Sequence, residues 1–526
     1  MSELEDTGIY VAVGAGEAES IPMAPTSVTA FVGRARRGPA NFPVAIQNFD
    51  QFERVFGGLW MPSTMSYAVR HFFLNGGQQA VIVRAINGGR HNTLRLPAGS
   101  DYLVLAALHP GSGVFLRAAV DYDNIPDSST RFNLTIQRVR GIDSAIVEDQ
   151  EIFPRVSTRA DSERFITDVL YDSMLVRVRD GVPRARPDST HNLGSGVDGG
   201  YVVAAGDGDD GRPLSDNDII GSEREQSGLH ALIGGPQFNL LCLPPLSRNH
   251  DLGFAAMHFA AEFCRRHKAI YIADPPSIWR SPDDAIAGLG DLGMSNENTA
   301  IFYPRLIMDD ELQGGRSEFA PCGTVAGLLA RCDLDAGPWR GPGSVHVPLR
   351  GVRRFADEVD DYECESLIKS GINCLRSHGR SIRVLEGDRT LAGADCPAAE
   401  WRSLSNRRFA LLVIDSVREG TGWAAFEKND AALWGRLQGK VEEFLLRCQA
   451  LGAFGEFNSG QAWFVKCDRE TTTEEDRRKG RVNVVVGLAH ERPSDFLVIN
   501  ISQPVKPVTH SDSYAEASLA DYEALA

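Results

Sequence analysis

Short apolar runs of period two alternate with longer stretches of helical period along most of the chain. Ser27-Val-Thr-Ala-Phe-Val-Gly33 reads as a strand, Arg36-Arg-Gly-Pro39 as a turn, and 48–56 as a short helix stopped by Gly57-Gly58. Ser63 is placed to cap a helix whose apolar face is Met65, Val69, Phe72 and Phe73, closed by Asn75-Gly-Gly77 before a strand over 80–84. These pieces make a βαβ-like unit. Ahead of them, Ile9-Tyr-Val-Ala-Val13 is one apolar alternation ended by Gly14 and Gly16, a lone strand on a loose arm.

Between about 90 and 215 the chain is richer in Gly, Asp, Ser and Pro, with short alternating pieces such as Phe132-Asn-Leu-Thr-Ile-Gln137, and it predicts a β-rich domain with long loops, including a glycine-and-aspartate stretch over 194–211. After Ser215 strands alternate with helices: strands over 239–243, 269–273 and 299–303, helices over 251–267 and 322–332. That is a parallel α/β signature. Beyond Pro338-Trp-Arg-Gly-Pro342 the pattern predicts a strand over 381–385, helices over 407–418 and 430–451, and closing strands over 482–486 and 496–501. The expected fold class is α/β and α+β, multidomain.

The length of 526 residues agrees with several domains at roughly 150 residues each. A hydrophobic fraction of 43% excludes a disordered chain, and no apolar run approaches the roughly 20 residues a bilayer span needs. With 54 basic against 70 acidic residues, the net charge of -16 argues against an extended phosphate-binding surface, so nucleic acid is not an expected partner. The acidic start, Met1-Ser-Glu-Leu-Glu-Asp6, lacks the apolar segment of a secretory signal, and folding in a bacterial cytoplasm is expected. Nine cysteines, at 242, 264, 322, 332, 364, 374, 396, 448 and 467, are scattered without a Cys-x-x-Cys pair and read as reduced core thiols.

Catalytic motifs are weak throughout. Gly14-Ala-Gly16 lacks the third glycine and the following helix of a dinucleotide fingerprint. Gly435-Arg-Leu-Gln-Gly-Lys440 lies inside a predicted helix and cannot wrap a phosphate, and His490-Glu-Arg lacks the second histidine of a helical zinc site. His258, Cys264 and His267 share one helix but follow ordinary core and C-terminal charge spacing. Asp274-Pro-Pro276 ends a predicted parallel strand, where α/β enzymes place their chemistry, and it supports an alternative reading as an enzyme with its site near Asp274. No cofactor, metal or catalytic residue is assigned.

Two blocks of motifs point elsewhere. Thr26-Ser-Val-Thr-Ala-Phe-Val-Gly-Arg-Ala35, Phe52-Glu-Arg-Val-Phe-Gly-Gly58, Tyr67-Ala-Val-Arg-His-Phe-Phe73, Asn75-Gly-Gly77 and Val81-Ile-Val-Arg84 resemble the opening of contractile tail sheath proteins. So does the C-terminal series Asn406-Arg-Arg408, Phe426-Glu-Lys-Asn-Asp430, Leu433-Trp434, Val441-Glu-Glu-Phe-Leu445, Phe464-Val-Lys-Cys-Asp468, Glu470-Thr-Thr472 and Phe496-Leu-Val-Ile499, with Ala320-Pro-Cys-Gly-Thr-Val-Ala-Gly327 as the junction between the blocks. The resemblance covers roughly 8–90 and 320–502, about half of the chain.

It implies an N-terminal arm (1–25), a sheath core domain assembled from 26–90 and 338–502, inserted outer domains over 91–214 (β-rich) and 215–337 (α/β), and an acidic tail over 503–526. By the same resemblance the protein is a structural subunit of a phage tail or injection particle. It polymerises with itself as a six-start helix around an inner tube protein, meets baseplate and terminator proteins, and contracts without nucleotide hydrolysis. Ile9, Tyr10, Val11 and Val13, together with Phe496, Val498, Ile499 and Ile501, are the implied inter-subunit exchange strands, against the plainer reading of termini folded on their own domain. Arg436, Lys440 and Arg447 lie on the polar face of a helix that the resemblance turns toward the tube, against the plainer reading of a solvated face.

Overall fold

The computed structural model describes residues 20–126, 130–141, 143–192, 197–198, 200–345, 347–379, 382–392, 399–489 and 496–506. The backbone separates into two compact units. The first comprises Ser27–Ala336 and Gly341–Leu404; the second comprises Gly337–Arg340 and the described parts of Met1–Thr26 and Ser405–Ala526.

The first unit is built on a mixed eight-stranded sheet. In chain order its strands are β1 (Thr29–Gly33), β2 (Val44–Ile46), β3 (Ala80–Arg84), β4 (Leu240–Cys242), β5 (Ile270–Ala273), β6 (Thr299–Tyr303), β7 (Ile372–His378) and β8 (Ile382–Glu386), arranged spatially as β8-β7-β6-β5-β4-β1-β3-β2. The six central strands run parallel, and β2 and β8 close the edges antiparallel. Every residue of β1, β3, β4, β5 and β6 is buried, as expected where helices cover both faces and the strands become continuous apolar runs.

Helix α1 (Phe49–Phe56) begins one residue inside the expected 48–56, with Asn48 as its cap, and α2 (Thr64–Asn75) begins where the sequence places its cap. The Asn48 side chain accepts from Gln51 N–H and that of Ser63 from Ser66 N–H, and both helices end on a left-handed glycine, Gly57 and Gly76. Each cap meets a backbone group that the helix itself leaves unpaired. Alongside α2 lies α4 (Cys322–Ala336), numbered after α3 (Phe254–His267). A Cβ at Gly323 would stand 2.1 Å from the Ala68 carbonyl oxygen, and one at Gly327 would stand 2.3 Å from that of Phe72. The two glycines of the junction motif are therefore what lets these helices touch backbone to backbone.

Residues 91–203 form antiparallel sheets of five and three strands around a core of their own that includes Leu94, Leu105, Leu116, Phe132 and Ile136. The aspartates that follow are all engaged within the unit: Asp207 holds Thr93, Asp209 holds Arg90, and Asp210 holds Ser112.

The chain divides differently from the sequence-based boundaries. Residues 26–90 do not form their sheet with 338–502 alone, and 215–337 is not a body apart. Thr29, Ala30 and Phe31 register against Leu240, Leu241 and Cys242 on one side and against Ala80, Val81 and Ile82 on the other. A buried strand needs hydrogen-bonded neighbours on both edges, and periodicity names strands without naming the distant strand that becomes a neighbour.

The second unit holds all but the first residue of α5 (Leu404–Gly420), α6 (Ala431–Ala450) and a three-stranded antiparallel sheet in the order β9 (Trp463–Lys466), β10 (Arg481–Leu488), β11 (Leu497–Pro504). Leu433, Leu437, Val441, Phe444 and Leu445 of α6 are buried as its apolar spacing predicts. Trp339 packs edge-on against Phe409 at 5.6 Å.

Candidate assembly interface

The short motifs of the C-terminal block fasten this second unit together. Asn429 accepts the indole N–H of Trp434 at 2.8 Å and donates to the Arg481 carbonyl at 2.8 Å, while Asp430 caps α6 by accepting from Leu433 N–H at 3.0 Å. Asp468 accepts from the backbone N–H groups of Glu470 and Thr471, and the Thr472 hydroxyl accepts from Asn483 N–H at 3.0 Å. Local polar side chains thus fix helix to sheet.

Strand β11 pairs with β10 over eight positions, from Leu488↔Leu497 to Arg481↔Pro504. Its burial alternates strictly: Leu497, Ile499, Ile501 and Gln503 face inward, and Val498 is 55% exposed. Phe496 packs edge-on against Phe464 at 5.0 Å. Of the expected exchange residues, Phe496, Val498, Ile499 and Ile501 therefore lie in or beside a hairpin within this chain, and Ile9, Tyr10, Val11 and Val13 lie outside the described residues. Among the described residues, β9 and β11 are the two edges of this sheet, each paired on one side only.

The structure gives the three expected cations of α6 different settings. Arg436 pairs with Glu427 at 3.0 Å and stacks over Trp423 at 5.0 Å, Lys440 pairs with Glu443 at 3.4 Å, and Arg447 donates to the Ile21 carbonyl. Arg447 thus holds the base of the N-terminal segment. Gly435 and Gly439 share the exposed face of α6, and among the described residues a Cβ at either would meet nothing within 4 Å. Leu446 is 50% exposed and Phe426, just before the helix, is 77% exposed.

Sequence reasoning did not single out the base of the N-terminal segment. Ile21 and Ala24 are buried, Ala24 N–H donates to the buried Ser416 hydroxyl at 2.9 Å, and an Arg408 N–H reaches the Thr26 carbonyl at 3.4 Å. The loose composition of residues 1–25 concealed it, and the lone signal is the apolar pair Ile21 and Met23 after the glycine-rich stretch.

The groups considered for catalysis serve the core of the first unit. Asp274, at the C-terminal end of β5, accepts from Cys322 N–H at 2.8 Å at the first residue of α4, and burial pushes its carboxyl up to about 6. The crevice beside it has a volume of about 10 Å³, space for roughly one water. Cys264 is fully buried, and that burial raises its thiol well above the ordinary range. His258 Nε2 bonds the Leu292 carbonyl at 2.9 Å, and His267 packs on Phe263 at 4.3 Å. A second buried network was not legible beforehand. Asp310 pairs with Arg248 at 2.7 Å and accepts from the Tyr67 hydroxyl at 3.2 Å, while Arg248 lies over the Tyr67 and Phe319 rings.

Compared with solved structures, the chain is similar to a sheath tail protein from Listeria innocua, with a TM-score of 0.62 and 14% identity, covering 94% of this chain and 98% of that one. The chain has the fold of tail sheath proteins. A sheath tail protein from Desulfitobacterium hafniense is similar with a TM-score of 0.56 and 12% identity, over 94% of this chain and 100% of that one. The helical sheath of the anti-feeding prophage in its contracted state gives a TM-score of 0.53 and 17% identity, over 94% and 99%. No protein-family model and no curated protein sequence matches the chain. The match to these sheath structures covers 94% of the chain.

Proposed function

We propose that this chain is the sheath subunit of a contractile particle, a phage tail or a related injection device, and that it polymerises helically around an inner tube and shortens to drive that tube through a target envelope. The observation that carries the reading is the match to sheath structures over 94% of the chain. The chemistry agrees with it. The aspartate at the strand ends is spent on capping a helix beside a crevice for about one water, so the enzyme alternative lacks room for a substrate there.

Assembly requires links that survive a large rigid-body rearrangement, and strand addition to a sheet edge meets that need because main-chain hydrogen bonds tolerate changes in side-chain neighbours. In this reading Ile9, Tyr10, Val11 and Val13 of one copy add to an open edge of the β9-β10-β11 sheet of another. The in-chain pairing of β11 supports a receiving role for the strand that carries Val498, Ile499 and Ile501. At about 0.5–1.5 kcal/mol net per hydrogen bond, four or five bonds make only a marginal link before ordering costs, and repetition along a helical lattice supplies the strength. Arg436 and Lys440 of α6 are proposed to face the tube, where exposed ion pairs of about 0–1 kcal/mol each hold the extended state weakly enough to release. Energy for shortening then resides in the assembled lattice, without nucleotide hydrolysis. Baseplate and terminator proteins would bound the two ends of the cylinder.

Negative-stain microscopy of the purified full chain tests this directly. Hollow ridged cylinders are expected from the intact protein, and a chain lacking residues 1–19 is expected to stay folded by circular dichroism while forming none. Dispersed particles from the intact chain under all conditions would remove the sheath reading, and cylinders from the truncated chain would remove the arm.

A further inference from the structure

The base of the N-terminal segment and the last strand of the chain are fastened to the same place. Gln503, at the inward end of β11 and 4% exposed, donates through Nε2 to the carbonyls of Val417 at 3.3 Å and Arg418 at 2.8 Å and to the Thr421 hydroxyl. Those carbonyls belong to the last turn of α5, where the helix has few partners of its own to offer. Thr421 donates its hydroxyl back to Val417 at 2.5 Å, so the turn is closed by one glutamine and one threonine, both buried. The opposite terminus uses the same turn. Ser416 accepts Ala24 N–H at 2.9 Å, and Ile21, 1% exposed, lies on Gly420 so closely that a Cβ there would stand 2.8 Å from Ile21 Cγ2 and 2.9 Å from its Cα. Arg447 of α6 holds the Ile21 carbonyl from the other side.

From this we infer that the C-terminal turn of α5, residues 416–421, mechanically couples the N-terminal arm to the C-terminal strand, with Gln503 and Gly420 as its two positioning residues. The physical route is short. The Val417 and Arg418 carbonyls are capped from β11; without that cap the turn frays, and fraying displaces both the Ser416 hydroxyl and the Gly420 notch that seat Ile21 and Ala24. A pull on either chain end is thereby delivered into one helix end instead of two separate ones. The inference deepens the sheath reading, because under that reading these two ends carry the links between copies. The coupling itself belongs to the single chain.

Hydrogen exchange on the dispersed full-length protein, followed by mass spectrometry, tests it without any polymer. Gln503→Met is expected to speed exchange of the Ala24 amide, at the other terminus of the chain, by about tenfold, the scale of one lost hydrogen bond. Gly420→Ala, which crowds Ile21, is expected to speed exchange of the Val505 amide, which bonds the Gly480 carbonyl at 2.9 Å. Amides in the middle of α6 should remain protected in both variants and show that the unit is still folded. If each substitution loosens only its own terminus, the coupling is refuted. Should Gln503→Met unfold the unit, Ser416→Ala read at Val505 carries the same test from the other side, and an unchanged Val505 there also refutes it. Microscopy of cylinders, run separately, tests the sheath reading, so either can fail while the other stands.

Discussion

At the scale of single residues, the buried ionisable groups give the first unit two opposed responses to pH. The Asp274 carboxyl stays protonated in the folded chain up to about 6, whereas an unfolded chain releases that proton near the ordinary value of 3.8. The folded state therefore binds the extra proton between those values, and its contribution to stability is lost as pH rises through about 6, by up to about 3 kcal/mol. Asp274→Asn keeps an acceptor for Cys322 N–H without the charge. It is expected to raise stability in urea unfolding by about 1–3 kcal/mol at pH 8, with the gain fading toward pH 5. His71 works in the opposite sense. Burial, helped by Arg70 and Arg248, holds its imidazole down to about 3, so an unfolded chain takes up a proton near 6.5 that the folded one refuses, and stability is lost as pH falls below 6.5. His71→Phe, which preserves a ring against Phe319, is expected to flatten that acid limb in the same measurement.

At the scale of elements, much was legible because the signals are local. Ser63 caps the helix it precedes, and Gly57 and Gly76 end theirs, since a cap is decided within four residues. Gly323 and Gly327 stood out in the sequence only as part of a motif; their reason, contact with the α2 backbone, needed the partner helix. Gly435 and Gly439 are the reverse case. Glycine in a helix interior costs about 0.5–1 kcal/mol relative to alanine, and among the described residues no atom comes within 4 Å of a Cβ at either position. Gly435→Ala and Gly439→Ala are each expected to stabilise the isolated protein by about that amount in thermal unfolding. If α6 lies against another molecule in a cylinder, the same substitutions should lower the yield of cylinders despite the gain. Arg436 and Arg447 lie exposed on that helix and Lys440 half-buried. Their in-chain partners, Glu427, Glu443 and the Ile21 carbonyl, are three residues or more away along the chain, and in the last case 426 residues away.

At the scale of the whole molecule, a net charge of -16 per copy sets the electrostatic condition for packing copies side by side. Like-charged surfaces repel until salt screens them, with a Debye length of about 30 Å at 0.01 M and about 10 Å at 0.1 M. Cylinder yield is therefore expected to rise between those salt concentrations in a sedimentation assay, and a fall would mean that opposite-charge contacts between copies dominate.

What the chain of residues settled without its fold was decided at short range: the cap at Ser63, the glycine stops at Gly57 and Gly76, the apolar face of α6, and the strands at 299–303 and 80–84. The ordering of motifs carried the sheath resemblance as well. Only three dimensions decided that β1 lies between β3 and β4, that the first unit gathers 27–90 with 240–386, and that Ile21 and Gln503 meet at one turn of α5. Periodicity encodes which side of an element is buried, but a strand edge or a helix end accepts any partner with the right hydrogen bonds and shape, so the choice among distant partners is made by packing the whole chain at once.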